Sequence, residues 1–169
     1  MLMYIVIFIS KIIEVSLTTI RTVMITRGEK LIASVIGFFE VVIWLLIVGD
    51  VLEGIQDDPW KMLAYALGFA CGNYIGSIIE EKLAIGLLTI NVIVSEKDGK
   101  AMMNLLRNAG LGVTILDASG LKENKKVLII HAKRKRKDEI ISLIENSNIK
   151  AVISVTDTKT VYGGYGLKK

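Results

Sequence analysis

The chain has 169 residues, enough for one ordinary domain, yet 52% of them are hydrophobic and the mean hydropathy is +0.53, high for a water-soluble protein. A net charge of +4 is too mild to point to nucleic acid, and in so apolar a chain it reports membrane topology. One cysteine, Cys71, and one histidine, His131, exclude an internal disulfide and a zinc site of the usual kind, so neither a metal nor a cofactor is expected.

Three apolar segments come first, at residues 2–25, 31–48 and 62–79. The second and third are long enough for roughly 27 Å of helix at about 1.5 Å per residue, close to a hydrocarbon core. The first lacks a basic leader region and is interrupted by charges, so it reads as a span and not as a cleaved signal peptide. Residues 1–82 are therefore expected to form a domain of three transmembrane helices. The first connection, Thr26-Arg27-Gly28-Glu29-Lys30, is basic; the second carries Asp50, Glu53, Asp57 and Asp58 against Lys61. Basic loops stay inside. That orientation puts the N-terminus outside and everything after Ile79 in the cytosol, at the plasma membrane.

The first segment places Ser10, Lys11, Glu14, Thr18, Arg21 and Thr22 on one arc of about 120°, while Ser16 and Thr19 fall off it. Charges at mid-membrane cost on the order of 2.5–3.5 kcal/mol each, so they are expected to be paired. Lys11 and Glu14 can pair directly. Arg21 lies about 10 Å along the axis from Glu14 and needs another partner, for which Glu40 in the second segment is the candidate. With the turn near Gly28, Glu14 and Glu40 come to similar depth. Lys11, Glu14, Arg21 and Glu40 then sum to zero as one buried cluster between the first two helices. Such a cluster can fix helix register, carry a proton or cation, or hold an anion with Lys11 and Arg21. In the third segment Ala64, Gly68, Gly72 and Gly76 recur every fourth residue, a face that lets another backbone approach, within the subunit or between subunits. Ala33 and Gly37 make a shorter version on the second. Asn73 beside the long face would hydrogen-bond across the interface.

After Glu80-Glu81-Lys82 the pattern changes. Residues 87–95 read as a strand and 98–110 as a helix, with Asp98 at its N-cap and Gly110 as its stop. Residues 112–117 and 126–132 read as strands joined by the charged loop SGLKENK. Residues 136–148 read as an amphipathic helix with Ile140, Ile141 and Ile144 inward, and 150–162 as a strand or two. The order βαββαβ predicts an α+β, ferredoxin-like domain over residues 83–169, with Gly86 at the junction.

Two resemblances follow from longer blocks. VLIIHAKRKRKDEIISLIENSNIKAVISVTDTKTVYGGYG resembles the C-terminal domain of YitT-type membrane proteins, although Asn146-Ser147-Asn148-Ile149 stands where that tail usually has an Asp-Pro. EVSLTTIRTVMITRGEK, FFEVVIWLL and YALGFACGNYIGSIIEEKLAIG are similar to the three-span segment of uncharacterised protein family 0316. The resemblance implies a plasma-membrane protein whose cytosolic domain is related in shape to PII-like signalling proteins, with no established activity. PII-like domains trimerise and hold small anions or nucleotides between subunits. By that analogy the loop from Asp117 to Lys126 would cover such a site. The candidate ligand residues are Lys133, Arg134 and Arg136 of the basic run and Gly163 and Gly164 of YGGYG. His131 reads as a structural strand residue. Nothing pairs a nucleophile with its base, so an enzyme is not expected. The expected function is a ligand-sensing or regulatory membrane protein that binds a small anion or nucleotide. The alternatives are an oligomeric transporter or channel using Glu14 and Glu40 and gated by the tail, and a scaffold. The bilayer and further copies of the chain, a trimer among the options, are the expected partners.

Overall fold

The computed structural model describes residues 2–52 and 58–165. Glu53 and Asp57 of the acidic connection, and Gly166, lie outside the described residues. The chain divides into two compact units, Met1–Leu83 and Ala84–Lys169.

The first unit is three helices, α1 (Leu2–Arg27), α2 (Lys30–Leu52) and α3 (Pro59–Leu83). Among the described residues these three are long and apolar enough to cross a membrane, and the protein is a membrane protein on that ground. Only Gly28 and Glu29 separate α1 from α2. Gly28 takes φ +82°, a left-handed value that closes the end of α1, and its N–H donates to Ile25 O at 3.0 Å. α1 meets α3 through glycine. A Cβ at Gly68 would stand 2.8 Å from the Phe8 carbonyl oxygen, and one at Gly72 would stand 2.7 Å from Val15 Cβ. The two backbones are thus closer than any side chain on α3 would permit. Ala64 continues the face, half-buried against Ile7, Ile47 and Val51.

The second unit runs β1 (Leu87–Ser95), α4 (Gly99–Asn108), β2 (Val113–Ser119), β3 (Asn124–Lys133), a 3-10 turn (Arg134–Arg136), α5 (Lys137–Glu145) and β4 (Val152–Thr158). The four strands form one antiparallel sheet in the order β2-β3-β1-β4, the ferredoxin-like α+β arrangement. Alternation sets its two faces. Leu88, Ile90, Val92 and Val94 of β1, and Leu128, Ile130 and Ala132 of β3, point to one side, where Met102 and Leu106 of α4 and Ile140 and Ile144 of α5 cover them. Each fully buried Leu or Ile contributes on the order of 2 kcal/mol. Gly86, at φ +114°, directs the chain into β1.

Local chemistry explains where the elements stop. Gly110 sits at φ +75°, its N–H donating to Arg107 O (2.9 Å) and that of Leu111 to Leu106 O (3.2 Å), a Schellman end to α4. Asp98 precedes α4 as expected, but its carboxylate accepts from Ser95 Oγ at 2.7 Å and makes no cap hydrogen bond. Three boundaries differ from the sequence reading. The charged stretch 117–126 is not a long loop: β2 and β3 continue through it, Asp117 faces Lys126 in the ladder, and four residues make the turn. The Asp117 carboxylate pairs with Lys126 Nζ across the strands and raises the Lys126 pKa, an exposed cross-strand pair beside the backbone ladder. α5 ends at Glu145, with Asn148 at φ +58° turning the chain. The last segment, read as a strand or two over 150–162, is the single strand β4 and stops at Thr158.

Candidate functional site

In the membrane unit the four charged residues form two pairs on separate parts of α1. Lys11 and Glu14, only 4% and 7% exposed, contact each other one turn apart. Lys11 Nζ also lies 4.3 Å from the centre of the Tyr65 ring on α3, a cation–π contact. Arg21 reaches α2, where Nε donates to Glu40 Oε2 at 2.6 Å and Nη2 to Glu40 Oε1 at 3.1 Å. Gly37 makes room for this fork, because a Cβ there would stand 3.2 Å from Arg21 Cδ. Each glutamate has its own cation, on α1 in one case and between α1 and α2 in the other. The expected single cluster between α1 and α2 is therefore split. Ser16 and Thr19, which fall off the polar arc, face α3. Ser16 Oγ donates to Gly72 O at 3.3 Å, and Thr19 packs on Gly76. Asn73 does not reach α1. It lies one residue and about 100° round the helix from Gly72, is exposed, and donates to Phe69 O of its own helix at 3.1 Å.

In the second unit a cleft forms where the end of α4, the start of β2, the end of β3 and the tail after β4 meet. Its larger part, about 510 Å³, is bounded by Arg107, Val113, Ile129, His131, Gly164 and Tyr165 among others. A smaller part of about 190 Å³ adds Lys133 and Arg136 and shares Leu111, Gly112, His131 and Tyr165 with the first. Gly112 brings the tail in: a Cβ there would stand 3.2 Å from Tyr165 Cβ. Gly163, at φ +78°, turns the tail without lining the cleft.

Among the described residues lining either part there is no carboxylate; Arg107 lines the larger part, Lys133 and Arg136 the smaller, and His131 both. The four differ in what already holds them. Arg107 Nη2 donates to a neutral carbonyl, Val113 O, at 3.1 Å. Arg136 is a clasp: Nη2 donates to Ala109 O at 3.0 Å, and the guanidinium forks onto Glu139 at 2.6 and 3.0 Å. Those hydrogen bonds raise the Arg136 pKa and hold the Glu139 carboxyl below the usual range. His131 Nδ1 lies 2.9 Å from Thr89 Oγ1. Of the residues singled out in the sequence, Lys133, Arg136 and Gly164 come together here; Arg134 turns toward Asp157, 3.9 Å away. Arg107, Gly112 and Tyr165 were not singled out, and His131, read as a structural strand residue, lines the cleft as well. The signal for Arg107 was its place in the last turn beside a glycine stop; for the others, separated in sequence, there was none.

Family models match two parts of the chain: a domain of unknown function (DUF5698) over residues 19–77, and "Uncharacterized protein conserved in bacteria" (DUF2179), the YitT-type C-terminal domain, over residues 111–163. A UPF0316 protein of Clostridium botulinum (strain Hall) is 65% identical over 166 residues, 98% of each chain. A UPF0316 protein of Alkaliphilus oremlandii is 39% identical over 98% of this chain and 96% of its own. A functionally unknown protein from Pediococcus pentosaceus, solved by crystallography, covers 47% of this chain and 98% of its own, at 14% identity and a TM-score of 0.44.

Proposed function

From the premise that this chain belongs to the UPF0316 family of uncharacterised proteins, we propose that it is a membrane-bound sensor whose second unit holds a small anionic molecule in the cleft beside β3. The observation that carries the reading is the cleft lining, in which Arg107, Lys133, Arg136 and His131 converge and no described lining residue is a carboxylate. Phosphate, pyrophosphate, a nucleotide or a polycarboxylate fits that chemistry, because each offers oxygens to charged N–H donors. The reading places the cleft in the cytosol, with the N-terminus outside, on the strength of Arg27 and Lys30 in the first connection. It includes further copies of the chain, since three spans are few for transmitting a signal alone, and it assigns no catalytic step.

The test is equilibrium dialysis of the full chain in detergent micelles against inorganic phosphate, pyrophosphate, nucleotides and citrate, with Lys133→Gln and Arg107→Gln beside the wild type. Saturable binding of at least one probe, weakened about tenfold or more in each variant, is expected. A folded wild-type chain that binds none of them ends the proposal.

A transporter or channel built on Glu14 and Glu40 has weaker support. Each carboxylate is already engaged by a cation of the same chain, Glu14 by Lys11 and Glu40 by Arg21. Proton flux into liposomes that disappears in Glu14→Gln and Glu40→Gln would restore that reading.

A further inference from the structure

His131 lines both parts of the cleft. It points to the sheet face opposite α4 and α5, because its neighbours Ile130 and Ala132 point into the core. Nδ1 lies 2.9 Å from Thr89 Oγ1 on β1, which in turn lies 2.7 Å from Thr158 Oγ1 on β4. Three strands thus build one hydrogen-bonded line across that face, ending at the imidazole. We infer that His131 is the discriminating residue of the cleft, donating through Nε2 to a bound oxyanion and coupling anion binding to uptake of a proton on the ring. This inference rests on the anion-binding reading.

The hydroxyl line suits the task in both protonation states. When the ring is neutral, Thr89 donates to Nδ1, accepts from Thr158 and leaves the ring proton on Nε2. When the ring is charged, the Thr89 oxygen accepts from Nδ1–H instead, so the anchor survives while Nε2 still donates. The charged groups around the ring come from each neighbouring element. β3 supplies Lys133, α4 supplies Arg107, and the 3-10 turn supplies Arg136 with its partner Glu139 on α5. β1 and β4 present the two threonine hydroxyls, and the tail presents Tyr165. Asp157 of β4 faces the other side of the sheet, where Arg134 approaches it. A dianion bound beside the ring favours its charged form. An imidazole is the side chain whose ordinary titration falls between about pH 5 and 8.

Sulfate is the probe, because it stays a dianion throughout that range and any pH dependence of its binding belongs to the protein. The full chain in detergent micelles is titrated with sulfate at about pH 5.5 and about pH 8, as wild type, His131→Gln and Thr89→Val. Wild type is expected to bind about fivefold or more tightly at the lower pH, and His131→Gln with no pH dependence. Thr89→Val, which keeps the ring and removes its anchor, should bind more weakly than wild type at the higher pH yet keep the rise at the lower. Binding with the same pH ratio in wild type and His131→Gln overturns the inference and leaves the anion site standing. Thr89→Val indistinguishable from wild type at both pH values overturns the anchoring role. If wild type binds neither sulfate nor any of the other anions, the underlying reading falls and this inference with it.

Discussion

Arg136 occupies a boundary where one guanidinium ties the end of α4, through Ala109 O, to the first turn of α5, through Glu139. In the sequence it is one of five consecutive basic residues, and nothing there separates a clasp from a ligand contact. The separation is geometric, since a planar fork with fixed donors is satisfied or open only in three dimensions. The Glu139 carboxyl is held below its usual range by Arg136, which sets the sign of a pH effect. Stability lent by this pair is complete above the ordinary glutamate value of about 4.3 and is lost as the pH falls through the lowered value. Denaturation of wild type and Glu139→Gln should therefore differ near neutrality and converge in acid. A constant gap down to the acid limit would show that the pair has no titrating role. Lys133 and Gly164 were legible as candidates from the basic run and the YGGYG stretch; Arg107 and Tyr165 were not, because 57 residues lie between them and only the tail's path over Gly112 brings them together.

At the scale of elements, hydropathy placed all three membrane helices and β-rich runs placed the strands, because both signals are local. What a face packs against is not local. The spacing of Gly68, Gly72 and Gly76 announces a close approach but not the partner, which is α1 of the same chain. Gly72→Ala puts a methyl group where Val15 stands, and overpacking of this kind costs about 1–3 kcal/mol; thermal unfolding in detergent should show the drop, while Gly49→Ala, with nothing within 4 Å, should not. The Arg21–Glu40 fork joins α1 to α2. Arg21→Leu and Glu40→Leu each strand a charge and should lose about 1–2 kcal/mol, whereas the double variant should recover much of it, as replacing both members of an ion pair commonly does. Additive losses would mean that the fork does not couple the two helices. The stretch between β2 and β3 is a lesson of the same kind. Its lysines, glutamate and asparagine look like loop in isolation, yet cross-strand pairs such as Asp117 with Lys126 let the ladder run through them.

The whole molecule has two cores of different origin. Residues 84–169 bury their own apolar side chains between one sheet and two helices, so this unit, expressed alone, should be water-soluble, monodisperse or self-associated, and cooperative in thermal unfolding. Residues 1–83 should require detergent, with Phe38, Leu46, Trp60 and other large apolar side chains on the surface of α2 and α3. A separate second unit that precipitates or unfolds without cooperativity would count against two independent domains. Composition and periodicity by themselves determined the three spans, the βαββαβ order and, from that order, a ferredoxin-like sheet, because few topologies accept it. They could not decide which charge meets which, that the glycine face turns inward to α1, or that α4, β3 and the tail enclose one basic cleft. Those outcomes depend on register and on contacts between residues far apart in the chain. Only the folded arrangement fixes them.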